Sequence, residues 1–188
     1  LFGSGKYYGD GSGGLHSQHP TLRRCGLAIV YLKEDVDQVA YALQCNLPGP
    51  VQTVPRAEIY ATLLLLTKAK RNSNLEYFTD HQALRNNYNQ GIGHSKNRMN
   101  CDLYFRIFQL RDNKHIDLKI TWLPAHTDTS ERPIPSGITP RDIYGNKQAD
   151  IHAVVAANKA ELPVSVTAPI IYNIQLVQRI QLRLADIV

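Results

Sequence analysis

Two runs of apolar, β-branched and aromatic residues near the start of the chain predict neighbouring β-strands. The runs read RRCGLAIVYL and QVAYALQCNL, with the polar stretch KEDVD between them and the turn LPGP after the second. Apolar runs of this length that are bounded by polar turn residues are typical of a β-hairpin. The earlier segment KYYGD also reads as a strand, so the pattern predicts three strands before any helix.

The hydrophobic pattern then predicts helices and strands in alternation. The segment PRAEIYATLLLLTKAK (55–70) begins with proline and is apolar along its length, as expected for a helix packed on a sheet. A buried strand (75–79) follows, and Asp80 is expected at the N-cap of the next helix, HQALRNNYNQG. The segment GIGHSKNR is predicted as a basic loop, DLYFRIFQLRD as an amphipathic helix and DLKITWL as another strand.

The last third of the chain predicts a long loop and two helices. The loop, AHTDTSERPIPSGITPRDIYGN, is of a length that is usually functional or disordered. It leads to the helix NKQADIHAVVAANKAE, and VTAPIIYNIQLVQRIQLRLADIV predicts a further helix. We expect the apolar residues of this last helix to pack on their own domain, with docking to a partner domain as the alternative. These residues are Ile170, Ile174, Val177, Leu184 and Ile187.

The composition predicts one soluble globular domain. Of the 188 residues, 43% are hydrophobic and 20% are charged, which supplies a substantial core and is unlike a disordered chain. The apolar run IYATLLLLTKA is too short to cross a bilayer, and no secretory signal is recognisable, so no membrane association is expected. The start at Leu1 and the single methionine, Met99, favour the expectation that the chain is a piece of a longer polypeptide.

Charge and cysteine content narrow the class of partner and the compartment. The formal net charge of +5 and the pI near 9.1 favour a polyanion such as nucleic acid, although a solvated basic surface has the same composition. The three cysteines, Cys25, Cys45 and Cys101, are odd in number and widely spaced, which fits neither a disulfide framework nor a zinc site. We expect buried thiols in a reducing, intracellular compartment, with nuclear and cytoplasmic locations both open.

Four acidic residues lie where predicted strands end or predicted helices begin. Asp10 ends the first strand, Glu58 lies in the first turn of the first helix, Asp80 follows the fourth strand, and Asp150 lies early in a late helix. Singly, each can be a turn residue, a helix cap or a surface charge. If the first and fourth strands are neighbours, the four acids share one edge of the sheet, and divalent cations must offset their repulsion. Oxygen ligands without Cys or His indicate magnesium or manganese and not zinc.

Five segments resemble the successive motifs of the type 1 ribonuclease H family, which includes the domains attached to reverse transcriptases of retroelements. In chain order they are YYGDGSGG, TVPRAEIYA, YFTDHQAL, ITWLPAH and GNKQADIHA, and they lie within residues 6–159. The resemblance implies a mixed α/β (α+β) fold with a five-stranded mixed sheet flanked by helices. The tail beyond Leu162 has no counterpart in the family, so we expect a catalytic domain at 1–162 and an extra C-terminal helix as an extension at 163–188.

The resemblance implies an activity and a cofactor. Members of this family cut the RNA strand of RNA/DNA hybrids to 5′-phosphate and 3′-hydroxyl products, using two Mg²⁺ ions for which Mn²⁺ can substitute. On this basis Asp10, Glu58, Asp80 and Asp150 are expected to bind the metal. His126, after WLPA, is expected to assist proton transfer or product release.

The resemblance also implies substrate contacts and partners. The bare backbone of the glycine-rich stretch is expected to let the substrate approach and to read the 2′-hydroxyl that distinguishes RNA from DNA. Arg56 can equally pair with a carboxylate. The expected partners are the RNA/DNA hybrid and a reverse transcriptase or other domain of a longer polypeptide. The expected substrate-binding residues are Gly11, Ser12, Gly13, Thr53, Arg56 and Gln82.

Two other functions stay open from the sequence. One is a catalytically weak or inactive hybrid-binding module of a larger retroelement polyprotein, and the other is a DNA-strand transferase on the same fold. The chain lacks the separate basic helical protrusion of some family members, which His94, Lys96 and Arg98 could partly replace. It also carries the long loop 127–144 before Asp150, which could slow or gate catalysis.

Overall fold

The structure follows the predicted alternation of helices and strands. It is a computed structural model that describes residues 2–125 and 134–187. The strands in these ranges are β1 (Gly5–Ser12), β2 (Gly26–Leu32), β3 (Val39–Asn46), β4 (Asn74–Thr79) and β5 (Asp117–Trp122). The helices in these ranges are α1 (Val54–Lys68), α2 (Gln82–Asn89), α3 (Ile92–Ser95), α4 (Cys101–Lys114), α5 (Pro140–Lys159) and α6 (Val164–Ala185).

The strands form one mixed sheet in the order β3-β2-β1-β4-β5. β2 pairs antiparallel with β1 and β3, as the predicted hairpin requires, whereas β4 lies parallel to β1 and β5. Tyr8 of β1 lies opposite Phe78 of β4, so the first and fourth strands are neighbours. Since parallel strands end at the same edge of a sheet, the residues that follow β1 and β4 come close together. The predicted five-stranded mixed sheet flanked by helices is confirmed.

Helices cover both faces of the sheet. Successive residues of a strand point to opposite faces, so Tyr7 joins a core cluster with residues of α1 and α4, and Tyr8 joins a second cluster with Ala149 of α5. The α5 backbone approaches β2 closely. A Cβ placed on Gly26 would lie 2.2 Å from the backbone nitrogen of Ala157 and 2.4 Å from the carbonyl oxygen of Ala153. No side chain therefore fits at position 26.

Helix boundaries around the predicted site differ from the expected ones. The segment predicted as a basic loop contains the single-turn helix α3. The N-cap of α2 is His81, so Asp80 lies outside the helix and is not the cap. Because α1 begins at Val54, Glu58 lies in its second turn and not in its first. These shifts of one residue or a few residues are typical of the ends of helices, where local signals overlap.

Helix α5 begins at Pro140, earlier than the predicted start near Asn146. Thr139 caps it, since its side chain accepts a hydrogen bond from the Asp142 N–H and the Asp142 carboxylate accepts one from the Thr139 N–H at 2.9 Å. Proline is favoured in the first turn because no intrahelical bond needs its N–H. Asp150 therefore lies in the middle of a long helix and not near its start, and residues 140–144 of the predicted loop are helical.

Helix α6 projects its apolar side chains into solvent. Of its residues, Thr167 is the one that is buried. Ile170, Val177 and Leu184 are 37%, 52% and 59% exposed, so the expectation that this stripe packs on its own domain is wrong. Exposed apolar residues also lie on other sides of the helix, at Tyr172 for example, so α6 has no single apolar face to bury. Neither α6 nor any other described helix is long and apolar enough to cross a membrane.

Removing residues 163–188 is expected to leave the stability of the remaining domain nearly unchanged. Little of α6 is buried, so its loss should cost less than about 0.5 kcal/mol, or about 2 °C in Tm for a domain of this size. Thermal unfolding of the chain ending at Leu162, followed by circular dichroism beside the full chain, measures this. A fall of more than about 5 °C would show that the extension stabilises the domain and would contradict the division at 162.

Candidate metal-binding site

Three acidic side chains meet at the edge of the sheet where β1 and β4 end. Asp10 lies near the end of β1, Glu58 in the second turn of α1, and Asp80 directly after β4. One carboxylate oxygen of each lies within 4.8 Å of the other two. The parallel pairing of β1 with β4 places Asp10 beside Asp80, and α1 packs over β1 so that Glu58 faces both. The three acids form the acidic cluster of this structure.

Asp150 lies beside the acidic cluster and not within it. In the described ranges, the acids that share a site within 4.8 Å are Asp10, Glu58 and Asp80. The Asp150 charge still reaches this site, because it is one of the charges that raise the pKa of Asp10. The structure thus brings three of the four predicted metal ligands together and places the fourth on the neighbouring helix α5, half-buried.

Gly11 brings Asp10 and Glu58 side by side. A Cβ on Gly11 would lie 2.8 Å from the Ala57 Cβ and 2.9 Å from the Glu58 backbone nitrogen, so any side chain would push α1 away from β1. The Gly11 N–H also donates a hydrogen bond of 2.7 Å to Oδ1 of Asp10. Gly13 is buried, and a Cβ there would lie 2.8 Å from the Ser17 Cβ. Glycine at positions 11 and 13 therefore leaves space for other atoms of the protein. The sequence analysis had instead explained these glycines by the approach of the substrate.

Two residues that the sequence interpretation missed hold the end of β4. Trp122 of β5 donates its indole N–H to the Asp80 carbonyl oxygen at 2.9 Å. The Thr79 hydroxyl donates to Oε2 of Glu58 at 3.4 Å and accepts the His81 N–H at 3.1 Å. Both residues lie inside the motifs YFTDHQAL and ITWLPAH. Their roles were missed because these contacts depend on the pairing of β4 with β5 and on the packing of α1.

Burial sets the protonation of the acidic cluster. Asp10 is 6% exposed and Glu58 is 4% exposed. Burial is the main cause that raises the pKa of Asp10 to about 7, and the charges of Asp80 and Asp150 act in the same direction. Burial and then the Asp10 charge raise the pKa of Glu58 well above its ordinary value. Without a cation, the pair therefore keeps a proton near neutral pH.

The chemistry of the acidic cluster fits a hard divalent cation. Its ligand atoms are all carboxylate oxygens, without a cysteine or histidine in the group. Oxygen-only ligand sets suit Mg²⁺ and Mn²⁺, whereas zinc sites favour nitrogen and sulfur. A bound cation would offset the burial and the mutual repulsion that otherwise raise these pKa values.

Arg56 pairs with a carboxylate outside the acidic cluster. Its guanidinium donates to both oxygens of Asp102, at 2.9 Å and 2.6 Å, and to Oδ1 of Asn100 at 3.1 Å. Both partners lie at the start of α4, so Arg56 joins α1 to α4. Of the two roles that the sequence left open for Arg56, carboxylate pairing is the one that the structure displays.

The other predicted contact residues lie around the same edge, with one outside the described residues. Thr53 is the N-cap of α1 and is half-buried, and Gln82 is the exposed first residue of α2. His126 lies outside the described residues. In the segment that could replace a basic protrusion, the guanidinium of the exposed Arg98 donates to Nε2 of the half-buried His94 at 2.9 Å.

Comparison with known proteins identifies the fold. No protein-family model and no curated protein matches the chain. The ribonuclease H domain of prototype foamy virus, solved in solution, is similar over 82% of this chain and 94% of that domain, with a TM-score of 0.60 and 19% identity. The protease-reverse transcriptase of the same virus is 21% identical over 81% of this chain, with a TM-score of 0.60. This chain spans 20% of that longer protein.

An enzyme isolated from compost gives the same result. A ribonuclease H1 isolated from compost by a metagenomic approach is similar over 82% of this chain and 96% of its own length, with a TM-score of 0.56 and 17% identity. The same compost enzyme has been solved in complex with an RNA/DNA hybrid. These likenesses show a ribonuclease H-like fold, which the five sequence motifs predicted.

Proposed function

We propose that this chain is a metal-dependent endonuclease that hydrolyses the RNA strand of RNA/DNA hybrids. The observation that carries the proposal is the acidic cluster, in which Asp10, Glu58 and Asp80 place oxygens within 4.8 Å of one another at the edge of a ribonuclease H-like sheet. Similar domains are ribonucleases H, and one has been solved with a hybrid bound. The net charge of +5 supports a polyanionic substrate.

The acidic cluster and Asp150 would hold two Mg²⁺ ions, for which Mn²⁺ can substitute. When bound, such ions supply an activated water and stabilise the charge on the leaving oxygen of the scissile phosphate. Asp10 would help to hold the ions, and the hydrogen bond from the Gly11 N–H orients its carboxylate. Trp122 holds the backbone of Asp80 from the neighbouring strand.

The remaining roles follow the chemistry of the hydrolysis. The products would be a 5′-phosphate and a 3′-hydroxyl, and no covalent intermediate with the protein is required. His126 would assist proton transfer or product release. Gly11, Ser12 and Gln82 would contact the RNA strand near its 2′-hydroxyls, whereas the buried Gly13 would not.

Thr53 and Arg56 would support the site from the first turn of α1. Thr53 caps the helix that carries Glu58, and its carbonyl oxygen accepts the N–H of Arg56 at 3.1 Å. Arg56 in turn fixes the start of α4 through Asp102. Thr53 lies at a position where it could also contact a phosphate.

We also propose that the chain functions beside a reverse transcriptase or another domain of a longer retroelement polypeptide. The similarity to a fifth of a foamy-virus protease-reverse transcriptase supports this arrangement. Residues 1–162 would form the catalytic domain and residues 163–188 a helical extension, and the compartment would be reducing and intracellular.

Cleavage of an end-labelled RNA/DNA hybrid tests the proposed function directly. The hybrid is incubated with Mg²⁺, Mn²⁺ or chelator, beside single-stranded RNA, duplex RNA and duplex DNA. Metal-dependent cleavage of the hybrid alone, leaving 5′-phosphate ends, is the expected result. Tight hybrid binding without cleavage in any metal would favour an inactive binding module, and cutting of duplex DNA would favour a strand transferase.

In chelator, the stability of the protein is expected to fall as the pH rises from 5 to 8. The pKa values of Asp10 and Glu58 are higher in the folded state than in the unfolded state, so the folded protein binds more protons in this window. Stability is then greatest near pH 4 and is lost as the pH passes through 7. The change for Asp10, from 3.8 to about 7, corresponds to about 4 kcal/mol at full titration.

Urea unfolding in chelator at several pH values measures this loss, and Mg²⁺ added at pH 8 should reverse it. Asp117→Asn, which changes an exposed carboxylate at the start of β5, should leave the pH dependence unchanged. A free energy of unfolding that is constant or rises from pH 5 to 8 would rule out the raised pKa values.

A further inference from the structure

Three buried hydroxyl groups lie close to the acidic cluster. They belong to Thr62, Tyr77 and Thr79, and each of these residues is 0% exposed. Within the described part of the chain, the Thr62 and Tyr77 hydroxyls interact with each other, and neither donates a hydrogen bond to an acid of the cluster. The Thr79 hydroxyl has two hydrogen-bond partners, and one of them is the metal-ligand candidate Glu58.

The direction of the two Thr79 hydrogen bonds is fixed by their chemistry. The His81 N–H can only donate, so the Thr79 oxygen accepts from it at 3.1 Å. When Glu58 is ionised, its carboxylate can only accept, so the single proton of the hydroxyl points to Oε2 of Glu58 at 3.4 Å. A hydroxyl donor favours the ionised form of a carboxylate, which is the form that binds a cation.

Thr79 also connects two of the three acids. Glu58 comes from α1, whereas Asp80 lies between Thr79 and His81 in the turn after β4. Through its two bonds Thr79 ties the Glu58 side chain to the backbone on both sides of Asp80. Movement of either acid therefore disturbs the same pair of hydrogen bonds.

We propose that Thr79 is a positioning residue that holds the Glu58 carboxylate and the Asp80 turn in the arrangement that binds a divalent cation. The inference rests on the proposed function, and it adds a residue that does not itself bind the metal. Residues that hydrogen-bond to metal ligands commonly change metal affinity about 10-fold to 100-fold when they are replaced. Thr79 is such a residue for Glu58.

The chain contains a matched control for this role. Thr62 lies one turn after Glu58 on α1 and is equally buried, and among the described residues its hydroxyl makes no hydrogen bond to Glu58. Thr62→Val and Thr79→Val make the same chemical change in the same core. Only Thr79→Val removes a hydrogen bond to Glu58, and Thr79→Ser keeps the hydroxyl while removing the methyl group.

The experiment measures Mn²⁺ binding by the full chain with calorimetry and with the electron paramagnetic resonance signal of free Mn²⁺. At pH 7.5, Thr79→Val should weaken the affinity about 10-fold, and Thr79→Ser should restore it to within about 3-fold of the wild type. Thr62→Val should bind like the wild type. If Thr79→Val does not fold, Thr79→Ala removes the same hydroxyl without placing a second methyl beside Glu58.

Every other outcome overturns either the positioning role of Thr79 or the proposed function. Wild-type affinity in Thr79→Val, or equal weakening in Thr79→Val and Thr62→Val, overturns the positioning role, because the Glu58 bond would then be irrelevant to the metal. Failure of Thr79→Ser to restore binding overturns it as well. Absence of Mn²⁺ binding by the wild type overturns the proposed function itself, and the inference with it.

Discussion

Replacing Asp10 by asparagine should abolish metal-dependent cleavage of the hybrid, with a loss on the order of 10³-fold or more. A carboxylate oxygen of Asp10 lies within 4.8 Å of an oxygen of each of the other two acids in the cluster. The amide keeps the shape of the side chain but provides one oxygen and no charge, so cation binding should fail. Initial rates on the labelled hybrid in Mg²⁺ and in Mn²⁺ measure the loss.

The same substitution should make the metal-free protein more stable at pH 8. It removes a buried charge next to Glu58 and Asp80, whose repulsion contributes to the raised pKa values. We expect a gain on the order of 1 kcal/mol or more. A variant that loses activity while gaining stability would show that Asp10 serves function and not folding.

The matched control for Asp10→Asn is Asp117→Asn. Asp117 is exposed and starts β5, at the other end of the sheet from the acidic cluster. Its replacement should leave both cleavage and stability within experimental error. Retention of full activity by Asp10→Asn would exclude Asp10 from the metal site and remove the main support for a nuclease.

Replacing Gly26 by alanine should destabilise the protein by about 2–4 kcal/mol. The added Cβ would lie 2.2 Å from the Ala157 nitrogen and 2.4 Å from the Ala153 oxygen. Both atoms belong to the backbone of α5 and cannot rotate away, so the helix must move from the sheet. Urea unfolding in the presence of Mg²⁺ measures the loss in the free energy of unfolding. Nuclease activity should fall as well, because Asp150 lies on the same helix.

Gly93→Ala is the control for this substitution. Gly93 lies in α3, and a Cβ built there has no neighbouring atom within 4 Å. The change should stay within about 0.5 kcal/mol of the wild type. If the Gly26→Ala variant is as stable as the Gly93→Ala variant, the backbone of α5 does not lie as close to β2 as described.

Much of the sheet could be predicted from the sequence because its signals are local. The apolar runs of β2 and β3 have the composition of strands along their whole length, and the polar segment between them marks the turn. The positions of Asp10 and Asp80 at strand ends follow from two other strand segments, KYYGD and residues 75–79. Their convergence needed one further assumption, that β1 and β4 are neighbours, and the five ordered motifs supplied it.

The start of α5 was missed because its signal is short. The capping box of Thr139 and Asp142 lies in a segment that also contains prolines, and the sequence interpretation treated the whole segment as loop. The exposure of α6 was missed for a different reason. An apolar helix pattern predicts that the residues will be covered, but it does not specify which molecule covers them.

The details of the acidic cluster depend on contacts between distant segments. Gly11 leaves space for Ala57, which is 46 positions away, and the Thr79 hydroxyl meets a side chain 21 positions earlier. Such contacts arise only after α1 has packed on the sheet. A sequence motif can place the ligands in order along the chain, but the distances between them belong to the folded protein.

A proton and a cation compete for the acidic cluster, because Asp10 and Glu58 keep a proton when no cation is bound. Because the pKa of Asp10 is about 7, uptake of a cation near neutral pH must release a proton to the solvent. Below that pKa, each fall of one pH unit then weakens cation binding about tenfold for each proton released. If one proton is released, lowering the pH of the solution by one unit therefore reduces the fraction of protein with a bound cation as much as a tenfold dilution of magnesium does.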